Sequence, residues 1–420
     1  LEDDVMPLLN GDDFCKSYEI KHSITLGAEQ KKAIAMALSH RFSIITGGPG
    51  TGKTTIIKAL VEGFQQGQLK RIVLCAPTGR ATKRLSEATD MEAFTIHRLL
   101  EPELENNVYT FARNEDEPLE VDVVIVDESS MLNLELYYAL IQAIPPTAYI
   151  VLVGDVDQLP PIGAGFILRD MLISSMVPYQ GLTQIYRQQE GNRIIDNAYA
   201  INHGEMPNVS NCDEFQFDSV HDVEGLLSGI TKHYLEELQH VGSVLDIQIV
   251  CPMRKGSAGS AAISKYLQEE LNPKRRGEAE LKVDGTIFRV GDKVIQMENN
   301  YDQDVYNGEI GVITDIVGKQ ARVQFPDKAL TLDEEDLFSV ALAYAITVHK
   351  AQGSEYSRII LPFLSTYHVM LQRNLLYTAI TRAKDKVIIV GSETAIQTAV
   401  DHVDTNYRYT LFKERLEGAI

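Results

Sequence analysis

Apolar positions along the chain fall into two alternating textures, and their order outlines the fold. Ala33, Ile34, Ala37 and Leu38 recur at helical spacing and predict a helix over 28–38. A continuous apolar run at 42–45 predicts a buried strand, followed by a helix over 54–66 and a strand over 71–75. Residues 76–85 read as a strand-to-helix corner and 94–100 as a short apolar segment. Strands at 121–126 and 148–153 bracket a helix from about 133 to 143. A second block repeats the rhythm: helices at 191–203 and 222–239, a strand at 246–251 and a helix at 258–271. It resumes with helix and loop over 341–356, strand 358–363, helix 369–380, strand 386–391 and helix 393–403. Strands alternating with helices predict α/β architecture, with parallel sheets covered on both faces.

Two stretches break this rhythm. Residues 102–120 are acidic, and 108–113 can form part of a β-hairpin, so an excursion is expected there. From about 284 to 340 the chain turns to short strands and tight turns, the pattern of a small all-β barrel inserted in the second block. Residues 1–20 are polar with weak periodicity and read as a short lead-in. There is no low-complexity tract or clear internal repeat, and the two α/β blocks match in rhythm only. The expected division is a lead-in at 1–22, a first domain at 23–180, a second at 181–257 with 341–420, and an insertion at 258–340.

Composition narrows the class. A chain of 420 residues with 44% hydrophobic content holds two to four domains. It has no apolar run of about 18 residues, so no membrane-spanning helix is expected. It opens at Leu1 with acidic residues rather than a signal peptide, and without Met, which reads as a piece of something longer. The four cysteines show no C-x-x-C spacing, and Cys75 and Cys251 end apolar runs as buried thiols would. A reducing cytoplasm, with no disulfide or metal framework, is the expectation. Net charge of −20 argues against broad non-specific binding to nucleic acid and leaves room only for local basic contacts.

The chemistry centres on 41–56, RFSIITGGPGTGKTTI, which fits G-x-x-x-x-G-K-[ST] through Gly47, Gly52, Lys53 and Thr54. Glycines let the backbone wrap a phosphate chain, and the helix N-terminus adds a positive dipole end. Lys53 would reach the β/γ-phosphates and the Thr54 hydroxyl would ligate Mg²⁺. Asp127 and Glu128 end a fully apolar strand, which suits a metal-holding acid beside a water-activating one. Gln158, in GDVDQLPP, sits where an amide could sense a terminal phosphate. Arg187 and Arg382, each taken alone, read more simply as surface salt-bridge partners, and His349 alone reads as structural.

Ten segments then occur in order: GGPGTGKT, APTGRAT, TIHRLL, VDESSM, GDVDQLPPIGAG, YRQ, CPMRKG, NGEIGVI, AITVHKAQGSEY and LYTAITRAKDKVIIVG. Together they resemble the motifs of superfamily 1 helicases, most of all the RecD-like branch of 5′→3′ DNA helicases, across about 26–391. The resemblance implies two RecA-like parallel-sheet domains with ATP in the cleft between them, a β-hairpin insertion and an SH3-like barrel. It assigns Gln30 to adenine, and Gly48, Pro49, Gly50, Thr51, Gly52, Lys53, Thr54 and Thr55 to the phosphate loop. Thr54 and Asp127 become metal residues, Glu128 the water residue and Gln158 the γ-phosphate sensor. Arg187 and Arg382 become arginine fingers. Tyr186 packs near the base, and Gly353 and Glu355 join the nucleotide contacts, Glu355 at the ribose. Single-stranded DNA contacts carry over to Pro77, Thr78, Arg80, His97, Pro252, Arg254, Lys255, Thr347, His349 and Lys350.

The resemblance thus implies ATP- and Mg²⁺-dependent stepping along single-stranded DNA and unwinding of forked or tailed duplex, in repair or recombination. Its 5′→3′ polarity rests on the likeness alone. Competing readings are an ATP-gated DNA-binding subunit or module of a relaxase or exonuclease complex, and an RNA helicase. Two departures stand out: the stretch before the first motif is short, and tryptophan is absent, leaving Tyr, Phe or His for base stacking. The acidic hairpin reads equally as a duplex splitter that repels the displaced strand and as a solvated loop.

Overall fold

The computed structural model describes residues 8–105, 108–185, 192–300, 303, 305–403 and 410–418. The chain forms two compact units, Leu1–Glu190 with Asn406–Ile420, and Gly191–Thr405.

The first unit opens with α1 (Gly11–His22) and α2 (Ala28–Ser39). It continues through β1 (Phe42–Gly47), α3 (Lys53–Gln66), β2 (Ile72–Ala76), α4 (Gly79–Thr89), β3 (Ala93–Thr95) and the one-turn α5 (Ile96–Leu99). A hairpin of β4 (Pro102–Glu105) and β5 (Val108–Phe111) follows. Then come β6 (Val123–Val126), α6 (Leu134–Ala143), β7 (Tyr149–Gly154), α7 (Ile167–Ser174) and β8 (Tyr179–Leu182). Six strands form one parallel sheet in the order β3-β2-β6-β7-β1-β8. Successive strand residues point to opposite faces, so both faces must be apolar. Ile45, Leu74, Ile125 and Val153 pack with Ile34, Leu38, Ile57 and Phe64 of α2 and α3. Ile44, Cys75, Val126 and Leu152 pack with Leu140, Leu168 and Met171 of α6 and α7.

The second unit runs through α8 (Arg193–Asn202), β9 (Phe215–Ser219), α9 (Val223–Val241), β10 (Ile247–Cys251) and α10 (Ser260–Leu271). Next is the antiparallel insertion: β11 (Glu280–Val283), β12 (Thr286–Arg289), β13 (Lys293–Gln296), β14 (Ile310–Val317), β15 (Gln320–Gln324), β16 (Ala329–Leu332) and β17 (Val340–Leu342). The α/β layer resumes with β18 (Ala345–Thr347), α11 (Val348–Ala351), β19 (Tyr356–Phe363), α12 (Arg373–Ile380), β20 (Ala383–Gly391) and α13 (Glu393–Asp401). Its parallel sheet has the order β18-β10-β19-β20-β9. The insertion has its own core, including Phe288, Val294, Val323, Phe325 and Leu332. It is pinned to the parallel sheet by the fully buried Lys293, whose Nζ donates to the carbonyls of Val244 (2.8 Å) and Ile247 (2.7 Å).

Four features differ from expectation. Residues 11–22 form a helix, capped by Asn10, because Phe14, Cys15 and Tyr18 share one face buried against the first core. β8 and β9 extend the two sheets; both are short and mixed in polarity, so periodicity did not flag them. The stretch 341–356 holds β17, β18 and a single helical turn rather than a longer helix. The C-terminal α14 (Phe412–Leu416) belongs to the first unit: Phe412 and Leu416 pack on its core, with Phe412 5.7 Å from the Tyr137 ring. Among the described residues, no helix is long and apolar enough to cross a membrane. Cys75 and Cys251 are fully buried thiols.

Candidate nucleotide site and nucleic-acid edge

β1 delivers the chain to Gly47, where a Cβ would lie 2.8 Å from that of Leu182 on β8. Gly50 and Gly52 adopt left-handed φ of 77° and 83°, which side chains resist. Gly52 is the N-cap of α3 and supplies no side-chain cap, so the first N–H groups of that helix face outward as a ready anion site. The Thr51 hydroxyl donates to the Gly48 carbonyl at 2.9 Å. The Lys53 ammonium lies across the loop, donating to the carbonyls of Gly47 (2.6 Å) and Gly48 (2.9 Å). Pro49 lies within the loop, and Thr54, exposed, and Thr55 follow Lys53 in the first turn of α3. Gln30, from α2, donates to the Thr51 carbonyl at 3.1 Å.

Asp127 follows β6, its N–H still in the ladder to the Cys75 carbonyl at 2.9 Å. Glu128 then turns left-handed, with φ 51°, and its N–H donates to Asp127 Oδ1 at 2.8 Å. A non-glycine residue in that region costs energy and is common where function fixes the backbone. Burial, and secondly the Glu128 carboxylate, push the Asp127 carboxyl up; the positive charges of Lys53 and Arg84 oppose this. Lys53 and Asp127, 74 positions apart in the chain, therefore share one electrostatic site. Gln158 follows β7; its Nε2 donates to Asp155 Oδ2 at 3.1 Å, while its buried Oε1 has no partner among the described residues.

In the second unit, Arg382 is 4% exposed and donates to the Thr378 carbonyl (3.2 Å), the Ser354 carbonyl (3.4 Å) and the Thr381 hydroxyl (3.3 Å). No carboxylate pairs with it among the described residues. Gly353 takes a left-handed φ of 71°, and Glu355 lies 3.8 Å from Lys384. Tyr186 and Arg187 lie outside the described residues, as does the hairpin tip at 106–107.

The expected DNA contacts gather at the C-terminal strand ends of each sheet, where open α/β sheets bind ligands. In the first unit β2 pairs with β3 so that their last residues, Ala76 and Thr95, are partners. Pro77, Thr78 and Arg80 leave one strand, and His97 follows the other. Thr78 caps α4, and Thr95 caps α5 by accepting from the Arg98 N–H at 3.2 Å. The hairpin base reaches this edge: the Phe111 ring lies 6.1 Å from that of His97.

The second unit repeats the arrangement. β10 pairs with β18, their last residues Cys251 and Thr347 again partners. Pro252, Arg254 and Lys255 leave one strand, as Pro77 and Arg80 do in the first unit. Thr347 caps α11 by accepting from the Lys350 N–H at 3.3 Å, and His349 follows. Lys350 Nζ donates to Asn307 of the inserted β unit at 2.7 Å. Burial lowers the Lys350 pKa, and the positive charge of Arg254 lowers it further, so the two cations face one locality. Thr95-Ile96-His97-Arg98 and Thr347-Val348-His349-Lys350 are thus one device used twice. Sequence reading missed this, and it missed Thr95 and Arg98, although T-[IV]-H-[RK] recurs in plain view.

Fold and site together define a phosphate-loop protein with two parallel-sheet α/β units. Three family models match it: an AAA domain over 30–164, an ATP-dependent RecD-like DNA helicase SH3 domain over 263–325 and a UvrD-like helicase C-terminal domain over 342–390. The chain is 37% identical over 397 residues to the ATP-dependent RecD2 DNA helicase of Deinococcus radiodurans, covering 94% of this chain and 53% of that protein. It therefore spans about half the length of that relative. It is 30% identical to the RecBCD enzyme subunit RecD of Mycobacterium tuberculosis, covering 89% of this chain and 70% of that one. Among solved structures, Bacteroides Pif1 bound to ssDNA shares the fold, with a TM-score of 0.59 at 19% identity over 94% of this chain and 98% of that one. The chain belongs to the RecD-like helicase family.

Proposed function

We propose that this chain couples ATP hydrolysis to movement along single-stranded DNA and to duplex unwinding, in repair or recombination. The observation that carries it is the uncapped phosphate loop of Gly47–Thr55 sharing an electrostatic site with Asp127, in a sheet whose β3-β2 edge carries Thr78, Arg80, Thr95 and His97 at the same C-terminal strand ends. The Deinococcus radiodurans relative is named an ATP-dependent DNA helicase, and a Bacteroides Pif1 structure holds ssDNA.

The loop N–H groups and Lys53 bind the β- and γ-phosphates. Thr54 and Asp127 would hold Mg²⁺, which when bound neutralises charge on the phosphate oxygens. The donors fit: both are hard oxygens, and the half-buried Asp127 beside the Glu128 carboxylate favours a cation nearby. Glu128 takes the proton of the attacking water, and the products are ADP and inorganic phosphate. Gln158 responds to the terminal phosphate by exchanging its Asp155 contact. Arg382, whose guanidinium is held among the described residues by neutral oxygens, and Arg187 stabilise charge on the phosphoryl group in transit. Tyr186, Gly353 and Glu355 contact base and ribose.

Pro77, Thr78, Arg80 and His97, with Pro252, Arg254, Lys255, Thr347, His349 and Lys350, grip the DNA backbone, so binding is largely independent of sequence. Net motion requires the two grips to alternate with the nucleotide cycle. Polarity is 5′→3′, and the cytoplasm is the working compartment. Matched duplexes with 5′ or 3′ single-stranded tails, DNA and RNA, test the proposal. Unwinding of the 5′-tailed DNA alone, lost in Glu128→Gln, is expected. ATP hydrolysis without strand separation on any substrate would instead favour a DNA-binding subunit.

A further inference from the structure

The inserted β unit is fastened to the second unit's parallel sheet at one end of β13 and meets the nucleic-acid edge at the other. At the first end the buried Asp292 accepts from the Arg289 N–H (2.7 Å), Gln268 Nε2 (2.5 Å), Asn272 Nδ2 (2.8 Å) and the Tyr344 hydroxyl (3.1 Å), beside the Lys293 bonds to Val244 and Ile247. At the other end the Gly308 N–H donates to the Gln296 carbonyl (2.8 Å) and the Gln296 N–H to the Glu309 carbonyl (2.9 Å). The Asn307 N–H donates to Asn299 Oδ1 at 2.9 Å, so main-chain groups hold the turn before β14. The Asn307 side chain reaches across to α11, where its Oδ1 accepts from Lys350 Nζ at 2.7 Å. Among the described residues no carboxylate forms an ion pair with Lys350; Glu298, just past β13, acts on its charge from farther away.

We propose that Asn307 is a positioning residue for the second strand edge: it aims the Lys350 ammonium, which makes the inserted β unit a working part of the grip on single-stranded DNA. The inference rests on reading Lys350 as a contact to the DNA backbone. A lysine head is a compact charge with three N–H donors on a flexible four-carbon stem. An amide oxygen orders that stem while taking one donor and none of the charge. A carboxylate in the same place would order it too, but would neutralise the charge that a phosphate needs. Asn307 acts through Lys350 and need not touch the strand itself. The fastening at Asp292 and Lys293 lets a surface turn do this, because β13 carries the turn and sets its position.

The test measures binding of fluorescein-labelled oligo-dT to the full chain by anisotropy across a salt series. Asn307→Ala is expected to weaken binding by about 3- to 10-fold, because the lysine must then be ordered as the complex forms, with the slope of log affinity against log salt unchanged. The same change in a Lys350→Ala background is expected to cost nothing further. Asn307→Asp is expected to lower the slope by about one, as Lys350→Ala does, because its carboxylate takes the ammonium from the phosphate. Being isosteric, it carries the test if the alanine variant does not fold. Unchanged binding in Asn307→Ala, an equal loss in both backgrounds, or an unchanged slope in Asn307→Asp would overturn the proposal. Lys350→Ala separates the two levels. If it binds like native protein, the reading of Lys350 as a DNA contact fails; if it loses affinity while both Asn307 variants bind like native protein, only the positioning role fails.

Discussion

The two units use one architecture differently at the same place. In each, a strand that begins a strand–helix–strand unit feeds a helix: β1 into α3, β9 into α9. Before α3 the chain spends five residues, 48–52, on a glycine-rich loop and caps the helix with Gly52, which offers no side chain. Before α9 the connection is short and Asp222 caps the helix, its carboxylate accepting from the Gly225 N–H at 2.8 Å. A helix N-terminus binds phosphate only if its N–H groups are uncommitted and no negative charge sits on them. Asp222 fails both conditions and Gly52 meets both. At the β3-β2 and β18-β10 edges, on the same C-terminal side, the units agree, with proline after one strand and a threonine-capped turn bearing His after the next. Nucleotide chemistry is built once; the strand edge is built twice.

The largest test of this contrast is Lys53→Ala against Asp222→Ala. Removing the ammonium should cut DNA-stimulated phosphate release by about 10²-fold or more, while the Asp222 change leaves turnover intact. Next in size is the base of each sheet. Glu237, 3% exposed, joins Arg358 and Lys386, each at 2.6 Å. Glu237→Ala should destabilise the second unit by about 1–3 kcal/mol in urea unfolding, because it leaves two partly buried cations unpaired.

Arg254→Ala and Lys350→Ala should weaken single-stranded DNA binding uniformly across sequences, each reducing the slope of log affinity against log salt by about one. Arg98→Ala matching that loss would establish that the two edges are equivalent in use, and an unchanged slope would break the equivalence. Asp222→Ala should cost about 1 kcal/mol through its lost cap, visible in thermal unfolding of the second unit. The smallest effect belongs to Asp122, whose carboxyl is drawn down to about 2, first by the Arg71 side chain and then by the Arg71 and Lys70 N–H groups. Its folded pKa is depressed, so its stabilisation is present above the unfolded value of about 3.9 and is lost as pH falls through about 2. Asp122→Asn should therefore melt slightly below native protein at pH 7, with the gap closing in acid.

Much of this was legible in the chain. Buried parallel strands are continuous apolar runs because helices cover both faces, so β1, β2, β6, β7, β10 and β19 stood out. Edge strands such as β8, with sequence YQGL, are not covered on both faces and carry no such run. The five residues of α14 and the three buried apolar residues of α1 are too few to reveal what they pack against. The recurrence of T-[IV]-H-[RK] was too short to read as a repeat until sheet order put both copies beside matching strands.

The phosphate loop was determined by sequence alone, because a backbone that must wrap phosphate needs glycine at fixed places and a cation and hydroxyl at the helix start. The paired acids after an apolar strand were nearly as local. Only tertiary structure decided what occupies each side chain's hydrogen bonds. Gln30 meets Thr51 and Glu29 meets Thr183 and Gln184 across distant parts of the chain. Asp222 silences the helix of the second unit by a cap that many exposed acids could form. Local spacing encodes which groups a loop can present; burial and strand order decide which of those groups remain available.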